Sequence, residues 1–464
     1  MNLTKLFNPY ELNEVFTPNT VAKLTYVKRD VLEKDLEKYV SLPGKQIVIY
    51  GHSGSGKTTL LRNKLKSIKQ NYIKTHCESS TTFNDLIIQA FDSLNRFYVS
   101  EKNSNSSYSV SSELKADYKI ITSSIKASGT ESDGEKQIRI VPPQLTPEKL
   151  ASFLGEIECV WIIEDFHKIS EFEKKRIADV VKIFIDCAND YKKVKVICIG
   201  AVGTARELIQ LDSNLNNRVA ELLVPLLTDN EIKEIVKKGT KLLNLKAKDD
   251  LIDKITYYSN NLASVTHQIC YDICFDKNIT KSKVFAQELK SESFKVAVNS
   301  FVRKNSDTFS KLYDSIICTP YGWNILKAFE HSEKEYLSFG EIKNGIPNHK
   351  RPDDNEISIY LSKLSSVEFN ELLRYDRNSK KYSISTPFFR AFLKMKMAIE
   401  QSELKERKQK RKNKRNRKYD IDMRNPIEFT LDDEFFKNYH QFLDSFIIRE
   451  LQIKEQIRKN NKRK

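Results

Sequence analysis

Gly51-His52-Ser53-Gly54-Ser55-Gly56-Lys57-Thr58 is the stretch on which the reading of this chain turns. It follows the apolar run Ile47-Val48-Ile49-Tyr50 and leads into Thr59-Leu60-Leu61, where a helical pattern begins. The spacing is G-x-x-x-x-G-K-[ST] between a strand and a helix, the setting in which that pattern forms a phosphate-binding loop. Glycines let backbone amides turn toward phosphate oxygens with no Cβ in the way. Lys57 is long enough to reach β- and γ-phosphates, and Thr58 is placed to ligate Mg²⁺. The N-terminus of the following helix favours the same anion. A nucleoside triphosphate is the expected ligand of residues 51–59.

Outward from the loop, strands and helices alternate. Strands are expected at 46–50, 72–76, 159–163 and 194–200, with helices at 57–69, 81–98 and 171–190. Each strand is a short, continuous apolar run, the mark of a parallel sheet covered on both faces, so the class is α/β. Thr146-Pro147 reads as an N-cap with proline in the first helical position. Between these elements, residues 100–145 form an insertion. Within it Leu114, Ala116, Tyr118 and Ile120 alternate with charged residues as a β-ribbon would, although the Ser- and Asn-rich flanks also fit disorder.

Residues 226–300 read as helical throughout, with no further strand. Three helical stretches (321–331, 338–345 and 354–366) then precede two short strands, Glu371–Tyr375 and Lys381–Ile384. That order is expected to form a winged helix-turn-helix. Its recognition helix opens on Asp353-Asp354, poor chemistry for approaching DNA, whereas Arg374, Arg377, Lys380 and Lys381 in the wing suit phosphates. Packing or partner contact is an equal use for such a domain.

The net charge of +16 is concentrated at one end. Residues 405–418 hold ten Lys or Arg against one Glu, and residues 454–464 hold six against one. The basic signal therefore belongs to the tail, where it suits salt-dependent contact with a nucleic-acid backbone and implies no base readout. An amphipathic helix is expected beyond it, through Phe435, Phe436, Tyr439, Leu443 and Phe446. No run of 18 apolar residues and no signal-peptide pattern appears, and the seven cysteines sit mostly in apolar stretches. The expectation is a cytoplasmic chain with reduced thiols and no membrane contact. His267, Cys270 and Cys274 share one helical face, but no fourth ligand stands at a metal-like spacing, so they read as core.

Glu164-Asp165 ends the buried strand at 159–163. In a nucleoside triphosphatase one such carboxylate supports Mg²⁺ and the next polarises the attacking water. With the loop and this pair on the page, the chain resembles an AAA+ P-loop ATPase, in the branch that holds origin-recognition ATPases, STAND switches and transposon target-selection ATPases. Tyr26-Val27-Lys28-Arg29-Asp30 resembles the entry motif that contacts adenine in that family. Gly203 through Leu208 and Leu215 through Val219 resemble the end of the sensor-1 strand and the arginine motif after it.

The resemblance implies ATP and Mg²⁺ as cofactors, with Lys57, Glu164, Asp165 and Arg218 in catalysis. Thr58 and Glu164 would hold the metal; the loop, Thr59, Tyr26, Val27, Arg29 and His267 would contact nucleotide. Arg218 would act on a neighbouring copy, which implies a homo-oligomer; an ordinary surface arginine is the alternative. The sensor-1 position is apolar here, leaving Thr204 as its candidate. Asn261-Leu262-Ala263-Ser264 stands where the family carries Gly-x-Pro-Arg, with His267 one turn on as the substitute. Slow turnover is therefore expected.

The implied organisation is a lead-in at 1–30, a core at 31–225 with its insertion, a helical lid at 226–300, a winged helix at 305–400 and a basic tail at 401–464. Two functions fit: an ATP-dependent switch associated with DNA through tail and wing, or a STAND-like signalling or defence ATPase with protein partners.

Overall fold

A computed structural model describes residues 9–94, 146–201, 208, 210, 212–332, 334–347, 351–377 and 379–419, with side chains to 409. The expected ribbon at 100–135, Gly203 to Glu207 with Thr204, and the helix around residues 430–446 lie outside the described residues. The chain divides into two compact units, Met1–Ile399 and Glu400–Lys464.

The first unit is built on a five-stranded sheet. Its strands are β1 (Gln46–Tyr50), β2 (Asn71–His76), β3 (Cys159–Glu164), β4 (Lys195–Gly200) and β5 (Val219–Leu223), in the order β2-β3-β4-β1-β5. Every neighbouring pair is parallel. Alternation along the strands splits the apolar core in two. Val48, Trp161, Ile163, Val196 and Cys198 face α4 (Phe83–Ser93), α5 (Pro147–Glu156) and α6 (Glu171–Cys187). Ile47, Ile49, Val160, Ile162, Ile197 and Ile199 face α2 (Asp30–Ser41) and α3 (Lys57–Ser67). This is the α/β parallel-sheet core that the sequence led to expect, with both faces covered as the continuous apolar strands require.

One strand was not anticipated. β5 carries Glu221 and the exposed Leu223 on the sheet edge, so its apolar pattern is broken and short. The helical stretch at 226–300 also contains a small parallel pair. β6 (Leu245–Ala247) and β7 (Gln287–Leu289) flank helices α7 (Asp229–Leu243), α8 (Asp249–Ser259), α9 (Ala263–Asp276) and α10 (Glu292–Lys304). Asn244 ends α7 in the left-handed region, and its amide donates to the carbonyls of Lys283 and Val284, drawing the β7 side in. A helical pattern alone could not reveal three-residue strands fixed by a cap.

The N-terminal lead-in is folded onto these helices. α1 (Leu12–Val15) and Phe16 pack with α7, and the Phe16 ring occupies the space where Gly239 has no side chain. The same apolar cluster continues into α11 (Lys311–Ile317), α12 (Gly322–His331), α13 (Phe339–Asn344), α14 (Asp354–Leu364) and the first turns of α15 (Pro387–Tyr419). Between them β8 (Tyr336–Ser338), β9 (Leu373–Asp376) and β10 (Lys381–Ile384) form an antiparallel sheet in the order β8-β10-β9. Among the described residues no helix is long and apolar enough to cross a membrane.

Candidate functional site

The loop after β1 is forced into shape by close backbone approach. A Cβ on Gly51 (φ 151°) would lie 2.3 Å from the Val224 carbonyl oxygen, so no other residue fits beside β5. Gly56 turns the chain into α3 with φ 90°, a left-handed conformation that L side chains rarely adopt. Inside the turn the Lys57 amine donates to the carbonyls of Gly51 (2.9 Å) and His52 (2.8 Å). Burial pushes the Lys57 pKa down, opposed by the negative charge of Asp165. Ser55 is buried and its hydroxyl has no partner among the described residues. Loop amides, an amine and an unpaired hydroxyl thus converge at a helix N-terminus, a donor set suited to phosphate. Thr58 and Thr59 follow on the first turn, half-buried.

The two acids after β3 have different surroundings. Glu164 is mostly covered, with Oε2 3.6 Å from Lys74 Nζ and 3.5 Å from His76 Nδ1 on β2. Asp165 takes a left-handed backbone conformation (φ 59°), is half-exposed and pairs with Lys168 at 2.6 Å. Of the two, Asp165 is the one whose charge reaches Lys57.

The segment Tyr26–Asp30 folds against the start of α7. Val27 is buried with Leu227, Ile232 and Ile235, and Ala263 packs against them. The Tyr26 hydroxyl donates to Glu33 (2.9 Å), and burial with that carboxylate raises its pKa. Arg29 spends its donors on protein: Nε to Glu231 (3.1 Å), Nη1 to the Pro225 carbonyl (2.9 Å) and Nη2 to the Leu226 carbonyl (3.1 Å). These contacts clamp the segment that joins sheet to lid. The start of α9 meets the loop directly, since a Cβ on Gly54 would come within 3.0 Å of Leu262 and 3.1 Å of Ser264.

His267 lies one turn further along α9 and is fully enclosed. Its Nδ1 accepts the Thr17 amide (3.1 Å), its ring meets Phe16 edge-on, and burial lowers its pKa to about 4. The imidazole is therefore neutral, with the proton on Nε2, which has no partner among the described residues. Cys270 and Cys274 are buried on the same helix as free thiols.

Arg218 stands apart. It precedes β5, and Val219 pairs with Gln46 at the start of β1, so Arg218 lies at the opposite sheet end from the loop. Its side chain is half-exposed, 3.8 Å from Asp186. It cannot reach phosphates on its own loop.

One contact had no signal in the sequence. His52 Nε2 lies 3.1 Å from Glu335 Oε1, just before β8, so a residue of the loop is held from far down the chain. Glu335 sits in a polar string, His331-Ser332-Glu333-Lys334-Glu335, that reads as an ordinary surface turn.

No curated protein matches the sequence. Solved structures similar to the chain include the Walker-type ATPase of Pyrococcus abyssi, 15% identical over 79% of this chain and 96% of that one, with a TM-score of 0.46. The ORC2 protein of Aeropyrum pernix in ADPNP–ADP complexes is 13% identical over 85% and 99%, with a TM-score of 0.45. Cdc6p of Pyrobaculum aerophilum is 13% identical over the same shares, with a TM-score of 0.40. The model of the family described as "ATPase domain predominantly from Archaea" matches residues 26–261, from the entry motif through the loop and the acid pair to the lid. That span is more than half of the chain, and the chain belongs to this ATPase family.

Proposed function

We propose that the chain is a Mg²⁺-dependent ATP hydrolase of the AAA+ type, working as a slow nucleotide-dependent switch in association with DNA. The observation that carries this reading is the loop itself, with Lys57, the unpaired Ser55 hydroxyl and the left-handed Gly56 converging on one point while Leu262 and Ser264 of the lid close over Gly54. In this reading the loop amides and Lys57 hold the β- and γ-phosphates, and Val27 with Leu227, Ile232 and Ala263 encloses the base. Thr58 and Glu164 would hold Mg²⁺, which supplies charge neutralisation on the phosphates when bound. Asp165 orients the attacking water. Arg29 supports the site by fixing the hinge, and His267 supports it by fixing Thr17 under the lid.

The organisation that goes with this reading is the lead-in at 1–30, core at 31–225, lid at 226–300, winged helix at 305–400 and basic tail at 401–464. Arg218, remote from its own loop, serves a neighbouring copy, so turnover depends on assembly. DNA is held through backbone charge by the tail and by wing residues such as Arg374 and Lys381.

Asp165→Asn is expected to bind ATP normally while losing turnover, read by nucleotide titration beside phosphate release. Turnover at the wild-type rate in that variant contradicts the assignment of the acid pair. A second reading, a STAND-like signalling ATPase with protein partners, is favoured by one observation. The segment after the lid touches the phosphate loop through Glu335, which suits a domain that responds to nucleotide rather than one that only reads DNA.

A further inference from the structure

We propose that Glu335 is a positioning residue of the phosphate loop: a carboxylate with two alternative partners, His52 on the loop and Arg390 on α15, which phosphate binding moves from the first to the second. This deepens the ATP-binding reading above and rests on it.

Three observations carry it. Glu335 engages His52 at 3.1 Å, in the same loop where Lys57 bonds to the Gly51 and His52 carbonyls. Arg390, in the first turn of α15, is buried, and its Nε has no partner among the described residues. Its Nη2 donates to the Ser332 carbonyl, three residues before Glu335, which brings guanidinium and carboxylate into one neighbourhood. Each charge acts on the other: Glu335 is held low by His52 and by Arg390, and Arg390 is supported by Glu335 against its burial.

The other charged groups at this junction are committed. Glu330 accepts the Tyr257 hydroxyl (3.0 Å) and pairs with His331. Lys394 donates to the Tyr257 carbonyl (3.1 Å) and lies over that ring. Glu335 is half-exposed and is the carboxylate with room to move.

The arrangement seen leaves a buried guanidinium donor unpaired, which is costly. The alternative, Glu335 on Arg390, satisfies that donor and gives up the His52 contact. Phosphate anions on the loop tip the choice. They draw Lys57 away from the His52 carbonyl and repel a carboxylate held beside the same residue. Nucleotide occupancy is thereby coupled to the packing of 332–338 and α15, in a segment beyond the matched ATPase domain.

The test uses the full-length chain and a fluorescent ATP analogue with Mg²⁺, titrated against wild type, Glu335→Gln, Arg390→Gln and the double variant. Glu335→Gln removes the charge that strengthens the His52 contact and repels phosphate, so binding tightens, by about fivefold or more at the usual scale of such couplings. Arg390→Gln removes the partner of the phosphate-bound arrangement, so binding weakens. The double variant behaves as Glu335→Gln alone, because Arg390 matters only through the carboxylate. If Arg390→Gln melts below the assay temperature, Arg390→Lys takes its place and must shift binding in the same direction by less. A merely structural role would move both single variants the same way, and that result, additive effects in the double variant, or no shift in either overturns the inference. A wild-type chain that binds no ATP overturns the nucleotide reading beneath it, and the inference falls with that reading.

Discussion

Asp165 and Glu164 differ by one methylene and one position, yet their surroundings separate them. Glu164 is drawn to Lys74 and His76 across the sheet, whereas Asp165 pairs with Lys168 and its charge opposes the effect of burial on Lys57. The order of the two letters was legible; their division was not, because it depends on which residues β2 places alongside. The same holds for His267. Helical spacing put it on a face with Cys270 and Cys274, but only the lead-in supplies the Thr17 amide that it accepts. Its burial has a consequence for pH. The folded imidazole titrates at about 4 against 6.5 in the ordinary state, so between those values the unfolded chain binds more protons. Stability is complete above about 6.5 and is lost as pH falls toward 4. Melting temperatures taken across that window are expected to fall more steeply for wild type than for His267→Gln, whose amide still offers the Thr17 N–H an acceptor. Parallel curves would place the acid sensitivity elsewhere.

At the scale of elements, continuous apolar runs predicted the three inner strands, β1, β3 and β4, because a strand buried on both faces has no polar side to confuse the pattern. β5 was illegible for the opposite reason: it is a sheet edge with one face partly in water. The three-residue strands β6 and β7 follow from the Asn244 cap, which no periodicity encodes. The lead-in carried no expected helix, yet α1 and Phe16 are core, and Gly239 is the position on α7 that admits the ring. A Cβ there would come within 2.3 Å of Phe16, which is completely buried. Gly239→Ala is expected to destabilise the chain by about 1–3 kcal/mol, the usual cost of overpacking a closed core. Adding Phe16→Leu should recover part of it in the same denaturation measurement, since the smaller side chain vacates the ring's space; no recovery would mean that α7 itself objects to the methyl group.

Over the whole molecule, the proposed function gives nucleotide and nucleic acid to different parts. In that proposal the parallel-sheet core and the helices after it carry the nucleotide chemistry. The densest basic runs, residues 405–418 and 454–464, sit outside the compact first unit. Removing residues 401–464 is therefore expected to abolish salt-dependent DNA binding while leaving ATP binding intact. Titration of labelled duplex at several salt concentrations checks this, and undiminished binding in the shortened chain would move the contact to the wing. The loop contact from Glu335 was beyond sequence reasoning, because nothing local marks a polar turn as the partner of a glycine-rich loop hundreds of residues earlier. The proposed switch depends on the glycine-rich loop at residues 51–58 holding a triphosphate. Titrating ATP with Mg²⁺ into the full-length wild type and into Lys57→Ala tests it directly. Saturable binding by the wild type, lost in the variant while its melting profile is kept, is the predicted result; equal binding by both, or none by the wild type, would contradict it.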